Sequence, residues 1–312
     1  MPDDPRGALT VAVMTYNRPA HLRNCLDSIA RHLPGVPVLV LDDRSDDPAQ
    51  VALLAEVAAA GVLVVTGKAG EEWHGGLYAN MQKALDLCQT PLLLYLQDDT
   101  QLVRRPGAEE VAAVLGLLEQ PGAGFTSPFF VKARKGFQWR GRFTPSADGH
   151  FLLPGINARK GRRHLSYSDI CIAHVPSLRA AGWTFVGSEG ANSGQAAQLF
   201  PAGMALMHAP WGFYCPEVPV FRYRSRGHTL AGRIAARRAG DRVKRFRALS
   251  SDRIAALRDR EPVSLPLAES WLEPEDPGVR RPFVYADMQR SRWLWLLHKG
   301  ELALRRLTGG SG

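Results

Sequence analysis

Two adjacent carboxylates, Asp98 and Asp99, follow the apolar run Leu92 to Leu96 with only Gln97 between, and Thr100 comes directly after them. A run of that length reads as a buried strand. Like charges a few ångströms apart at the rim of a low-dielectric core repel each other and resist desolvation, so a cation is expected beside them. A divalent metal, Mn2+ or Mg2+, suits such hard oxygen ligands. Taken alone, the same residues serve equally as a polar turn whose Asp caps a helix. A second acidic run, Asp42 to Asp47, follows the strand-like Val38 to Leu41, and Tyr16-Asn17-Arg18-Pro19 stops a third strand that ends at Thr15.

The elements that must position these groups are legible in the periodicity. Leu9 to Thr15, Val38 to Leu41 and Val62 to Thr66 read as strands, and Leu22, Cys25, Leu26 and Ile29 recur at helical spacing behind Pro19. A helix is expected from about residue 48 to residue 60. Strands alternating with helices of this length form βαβ units and a mainly parallel sheet, with the acidic pairs at one edge where ligands of open α/β sheets bind. Gly75-Gly76 precede Leu77, Asn80, Met81, Ala84, Leu85 and Cys88 in helical rhythm. Two glycines at a helix start let phosphates approach backbone N–H groups, although a flexible turn would look the same.

Composition bounds the rest. The 312 residues, 45% of them hydrophobic, suffice for one large domain or for a core domain with an addition. No run of about 18 apolar residues occurs and the amino terminus has no signal-peptide pattern, so the expected location is cytoplasmic. Cys25, Cys88, Cys171 and Cys215 form no Cys-x-x-Cys pair and read as core residues, not as a zinc site or a disulfide framework. The net charge of +9 points to anionic partners without choosing among phosphates, lipid and nucleic acid.

Four blocks in order, Val11-Ala-Val-Met-Thr-Tyr-Asn-Arg-Pro19, Val40-Leu-Asp-Asp-Arg-Ser-Asp-Asp47, Gly75-Gly-Leu-Tyr-Ala-Asn80 and Leu96-Gln-Asp-Asp-Thr100, resemble the amino-terminal half of family-2 glycosyltransferases with the GT-A fold. The resemblance implies a Rossmann-like, mainly parallel sheet flanked by helices and a metal-dependent, inverting transfer of a hexosyl or deoxyhexosyl group. The donor would be a nucleotide-diphosphate sugar of UDP, dTDP or GDP type. The acceptor hydroxyl would lie on a glycan or glycolipid of the kind assembled at bacterial cell surfaces. It further implies donor-binding roles for Thr15, Tyr16, Arg18, Asp42, Asp43, Gly75, Gly76, Asn80 and Asp98, and a metal-binding role for Asp99. Two departures are visible. Gln97 stands where the family has the first acid of Asp-x-Asp, and Ala79 where it often has Arg.

Transfer breaks the bond from the anomeric carbon to a diphosphate oxygen, so a metal at Asp99 would stabilise charge where it forms, and a carboxylate on the opposite face would take the acceptor proton. In the family that acid follows a strand, a short helix and a Gly-aromatic pair. Tyr167 to His174, Pro176 to Gly182 and Trp183 are such a series and lead to Glu189, with Asp169 in reserve. Residues 108–118 read as a helix, 125–131 as a strand and 132–163 as a basic, aromatic excursion. By the family pattern, Arg226 beside Arg224 would suit the donor diphosphate and His228 the metal. His208 reads as a structural histidine.

The expected domains are a catalytic unit at residues 7–228 and a basic helical extension at 229–308. Arg233, Arg237, Arg238, Arg242, Lys244, Arg245 and Arg247 alternate with Ile234, Val243, Phe246, Leu249 and Ile254, which predicts a long amphipathic helix outside the catalytic core. Several prolines from Pro262 to Pro282 mark an irregular connector. A final helix at about 287–307 aligns Trp293, Leu296, Leu297, Leu304 and Leu307 among arginines, a face suited to the inner surface of an anionic membrane, to its own domain or to a second copy in a homodimer. Two other classes compete with the transferase. A nucleotidyltransferase needs a Gly- and Lys-rich loop after the first strand, which Thr15-Tyr-Asn-Arg-Pro19 lacks. A non-catalytic membrane- or nucleic-acid-binding protein would use the basic carboxyl third, but few aromatics interleave there to stack on bases, so no nucleic-acid partner is expected.

Overall fold

The computed structural model describes residues 7–67, 76–218, 229–239 and 242–307. Gly75, Arg224, Arg226 and His228 lie outside them.

The chain opens with β1 (Leu9–Thr15), α1 (Pro19–His32), β2 (Val38–Asp42), α2 (Pro48–Ala59), β3 (Leu63–Thr66), α3 (Gly76–Leu87) and β4 (Leu92–Gln97). β1 is buried along its whole length, as expected of a strand covered by helices on both faces. Pro19 starts α1, and Arg31 and His32 in its last turn oppose the negative end of its dipole. Asp47 caps α2 by accepting from the Ala49 and Gln50 amides. These strands pair in parallel, β1 between β2 and β4. Thr15 lies beside Asp42 and Met14 beside Gln97, so the strands end together and their following residues share one edge.

β5 (Thr100–Leu102), α4 (Ala108–Leu118), β6 (Phe125–Ser127), α5 (Ala133–Trp139), β7 (Phe143–Pro145), β8 (Phe151–Pro154), β9 (Ile156–Asn157) and β10 (Arg162–Arg163) come next. They are followed by β11 (Cys171–His174), α6 (Val175–Ala180), α7 (Glu189–Leu199), β12 (Ala205–Met207) and β13 (Gly212–Tyr214). The central sheet has the order β3-β2-β1-β4-β11-β6-β12-β8-β7, in which β11 runs antiparallel to β4. This is a mixed α/β architecture, a central sheet flanked by helices. One face carries an aliphatic core around Leu22, Leu94 and Val114. The other carries Tyr95, Phe125, Trp183 and Phe200, with edge-to-face ring contacts at Phe125. Gly182, after α6, takes a φ of 64°, the left-handed value that ends a helix at glycine. All four cysteines are buried and free.

The carboxyl third departs from the expectation. In place of one long basic helix there are α8 (Leu230–Ala239) and α9 (Ser251–Arg258), with residues 242–250 before α9 not helical, then α10 (Ala268–Trp271), a 3-10 turn at Asp287–Arg290 and α11 (Arg292–Leu307). The stretch fails to be helical because Phe246 is recruited into the core, where Phe213 and Phe283 surround it. Its backbone is clamped by Gln101, whose Oε1 accepts from the Phe246 amide at 3.0 Å and whose Nε2 donates to the Phe246 carbonyl at 2.6 Å. Burying Phe246 and pairing its backbone outweighs helix propensity. Nor does this third lie outside the catalytic core, because Phe246, Leu257, Ala268, Leu272 and Phe283 share one apolar cluster with Val103, Phe130 and Phe213.

Candidate active site

The edge where β1 and β4 end is built around Asp98 and Asp99, which are 3% and 0% exposed. Thr15 Oγ1 donates to Asp98 Oδ2 at 2.9 Å and is itself held by Gln50 Nε2 at 2.9 Å. The Tyr16 amide donates to the same Asp98 oxygen at 3.3 Å. Arg18 then bridges the pair, its guanidinium lying 3.0 Å from Asp98 Oδ1 and 3.1 Å from Asp99 Oδ2. The cation demanded by the two carboxylates is thus supplied in part by the chain itself, one positive charge against two negative. Burial would lower the Arg18 pKa, but Asp98 and Asp99 hold it above its usual value. Burial pushes Asp98 up to about 6, and the adjacent Arg18 limits the rise.

Asp99 has a further partner from the far end of the chain: the Tyr285 hydroxyl donates to its Oδ2 at 2.7 Å. Its other oxygen, Oδ1, is buried without a hydrogen-bond partner. An orphaned carboxylate oxygen is costly unless something electropositive meets it, so Asp99 fits the role of metal ligand. Among the described residues no group of three His, Cys, Asp or Glu could complete a coordination shell. Diphosphate oxygens and water commonly complete the shell of Mg2+ and similar hard cations, and His228, the other expected metal ligand, lies outside the described residues.

Beside this centre is a small cavity of about 180 Å³ lined by Tyr16, Asp43, Leu77, Asn80, Gln97 and Asp98. Asp43 faces it, and burial pushes its pKa up to about 6. A Cβ added at Gly76 would collide with the Asp43 carboxylate, so this glycine makes room for a carboxylate, whatever it does for phosphate. Asp42 is differently employed. Its oxygens accept from Ser45 Oγ at 2.6 Å and from the Ser45 amide at 2.9 Å, which shapes the turn after β2 and leaves Asp43 as the member of that pair on the cavity.

On the other side of Gln97, which lines both spaces, is a larger cavity of about 910 Å³. Asp169 and Glu189 both line it. Asp169 precedes β11 and is oriented by Tyr78, whose hydroxyl donates to Asp169 Oδ2 at 3.0 Å, while Oδ1 is buried and unpaired. Burial, and secondarily the charge of Glu189, push Asp169 up to about 6. Glu189 opens α7 on an exposed turn capped by Ser188. His208 accepts the structural reading, its Nε2 lying 3.1 Å from the Arg258 carbonyl oxygen.

Two lining residues escaped the sequence reading. Tyr285 gave no signal, since nothing local places it 2.7 Å from Asp99. Lys132 was visible only as the start of a basic excursion. Its ammonium lies 5.8, 5.3 and 5.3 Å from the ring centroids of Phe213, Tyr214 and Tyr285. Burial lowers its pKa to about 8, against the opposing effect of Asp99.

The profile of the family described as "Glycosyl transferase family 2" matches residues 10–170. The chain belongs to that family. Several solved structures are similar. Residues 1–349 of TarS from S. aureus are 16% identical, with 66% of this chain and 60% of that one covered and a TM-score of 0.45. The mannosyltransferase PcManGT from Pyrobaculum calidifontis, solved with GDP-Man and Mn2+, is 17% identical, with 98% and 77% covered and a TM-score of 0.45. Glucosyl-3-phosphoglycerate synthase from Mycobacterium tuberculosis, solved with Mn2+, UDP and glucosyl-3-phosphoglycerate, is 15% identical, with 64% and 68% covered and a TM-score of 0.38. The match thus spans 60% of the TarS fragment. A search of curated protein sequences finds no match.

Proposed function

We propose that this chain transfers a sugar from a nucleotide-diphosphate donor to an acceptor hydroxyl, with inversion. The observation that carries the reading is the run Gln97-Asp98-Asp99 at the end of β4, in which Gln97 lines both cavities, Asp98 lines the small one and Asp99 is buried directly behind them. In this account the small cavity receives the nucleoside against Tyr16, Asp43 and Asn80. Asp98, held by Thr15 and Arg18, faces the ribose side. Asp99 would hold a divalent metal, which when bound supplies a Lewis acid for charge developing on the leaving diphosphate.

The sugar then points past Gln97 into the large cavity, where Asp169 takes the acceptor proton. Asp169 is favoured over Glu189 on three grounds: it is oriented by Tyr78, it has an oxygen without a partner, and burial brings its pKa near the working range of a general base. Glu189 raises that pKa from nearby. Residues 7–228 would carry the centre and residues 229–308 would close it from the carboxyl side.

The acceptor end of the reading extends to a glycan or glycolipid at an anionic membrane surface. No helix among the described residues is long and apolar enough to cross a membrane. α11 instead exposes Trp293, Leu296 and Leu297 beside the exposed Arg292 and Lys299, while Leu294 and His298 face inward toward α8. An apolar stripe flanked by cations on a chain of net charge +9 complements anionic lipid.

Thermal-shift titration with UDP, GDP, dTDP and CDP, each with and without Mn2+ or Mg2+, tests the donor reading. One nucleotide should raise the melting temperature in a metal-dependent way. No shift with any of them would overturn it.

A further inference from the structure

The large cavity contains more positive charge than the chemistry of a neutral acceptor requires. Lys132, Arg134, Lys135, Arg290 and Arg292 line it, against Asp169 and Glu189. Arg290 is already spoken for, its Nε donating to Glu217 Oε1 at 3.1 Å. Lys132 is not. Its ammonium, largely enclosed, meets three ring faces and has no hydrogen-bonded or ion-paired carboxylate among the described residues. Ring faces attract a cation but cannot accept its three N–H bonds as an oxyanion does. A half-buried lysine in that state keeps N–H bonds that an incoming oxyanion would satisfy.

Nearer the rim, Arg134 and Arg292 are exposed, and Lys135 lies 5.5 Å from the Trp139 ring centroid. These three residues also have no acidic partner among the described residues. The cations come from α5 and its N-cap and from the start of α11, whereas Asp169 and Glu189 come from the segments flanking β11 and α6. The cavity is thus polarised, with carboxylates on one wall and cations on another.

We propose that the acceptor carries a phosphate group, which Lys132 receives within the cavity with Arg134, Lys135 and Arg292 around it, while the acceptor hydroxyl faces Asp169. The group is either a free sugar- or polyol-phosphate or the phosphate of a lipid headgroup. This rests on the transferase reading for what happens at Asp169, but phosphate binding at Lys132 can be measured without it.

The test is calorimetric titration of the full chain with two probes, glycerol 3-phosphate and dihexanoyl phosphatidic acid. Each is run on the free protein and on protein saturated with whichever nucleoside diphosphate binds with Mn2+. At least one probe should bind in both states. Affinity should fall about tenfold or more in Lys132→Gln and by a smaller factor in Arg292→Gln, a surface change that leaves packing alone, as expected for loss of a charge-assisted contact. Nucleoside diphosphate affinity should stay unchanged in both variants. Tighter binding of the short lipid would identify a headgroup, and equal or weaker binding a free phosphate ester. The proposal is overturned if neither probe binds the wild-type chain, or if Lys132→Gln weakens the nucleoside diphosphate instead, which would assign the lysine to the donor. Failure of the donor reading would be separate: probes would bind and no nucleotide would.

Discussion

The Tyr285 hydroxyl donates to Asp99 Oδ2 at 2.7 Å, joining the carboxyl-terminal third to the carboxylate that follows β4. Arg18 reaches the same oxygen at 3.1 Å, so Asp99 is held from both ends of the chain while Oδ1 is buried without a hydrogen-bond partner. Removing one of these donors loosens the carboxylate without abolishing the site. Tyr285→Phe should cost about 1–2 kcal/mol of stability and lower turnover several-fold, measured by thermal unfolding and by release of nucleoside diphosphate. Unchanged values for both would separate the carboxyl third from the reaction centre.

The two acidic residues of the large cavity predict different pH profiles. Asp169 titrates at about 6, raised by burial and by Glu189. A base must be ionised, so log(kcat/KM) should rise with pH and level off above about 6. Replacing Glu189 removes a neighbouring negative charge and favours ionised Asp169. Glu189→Gln should therefore keep most of the activity and shift the acid limb to lower pH, whereas Asp169→Asn should lower turnover by roughly 10²-fold or more. The reverse pattern, collapse in Glu189→Gln and near-normal rates in Asp169→Asn, would give the base role to Glu189.

Gly76 and Asp43 share one space. Gly76→Ala should push the Asp43 carboxylate out of its place and weaken nucleotide binding about tenfold, with the fold retained by circular dichroism. Equal nucleotide affinity in the variant would show that Asp43 does not contact the donor.

The exposed stripe of α11 can be tested apart from catalysis. Wild-type protein should float with vesicles containing anionic phospholipid and not with neutral ones, and Trp293→Ser combined with Leu296→Ser should abolish flotation. Equal flotation of both forms would leave α11 without a membrane role.

Much of the centre was readable before any fold was known. Buried strands β1, β2 and β4 are near-continuous apolar runs, and each hands over to polar groups at the same sheet edge, so Tyr16, Arg18, Asp42, Asp43, Asp98 and Asp99 could be grouped from one-dimensional pattern, and the family resemblance added Thr15. The helical spacing of Asn80, Met81, Ala84 and Leu85 likewise predicted the buried face of α3. The carboxyl third was not readable in that way. Phe246 sits in a run of arginines that looks helical, yet its ring is more stable against Phe213 and Phe283 than on a helix surface. Tyr285 and Lys132 acquire their roles through contacts across long sequence separations, which no local period encodes. The division of labour between Asp42 and Asp43 was also hidden, because it depends on which carboxylate the Ser45 turn captures.

The central claim is that Asp99 stands where negative charge develops on a departing nucleoside diphosphate. Its most direct test is the Mn2+-dependent release of nucleoside diphosphate from a panel of UDP-, GDP- and dTDP-sugars by the wild-type chain and by Asp99→Asn. The account predicts release from one donor class and a loss of roughly 10²–10³-fold in the variant, with its melting temperature close to that of the wild type. Undiminished release by Asp99→Asn would contradict it.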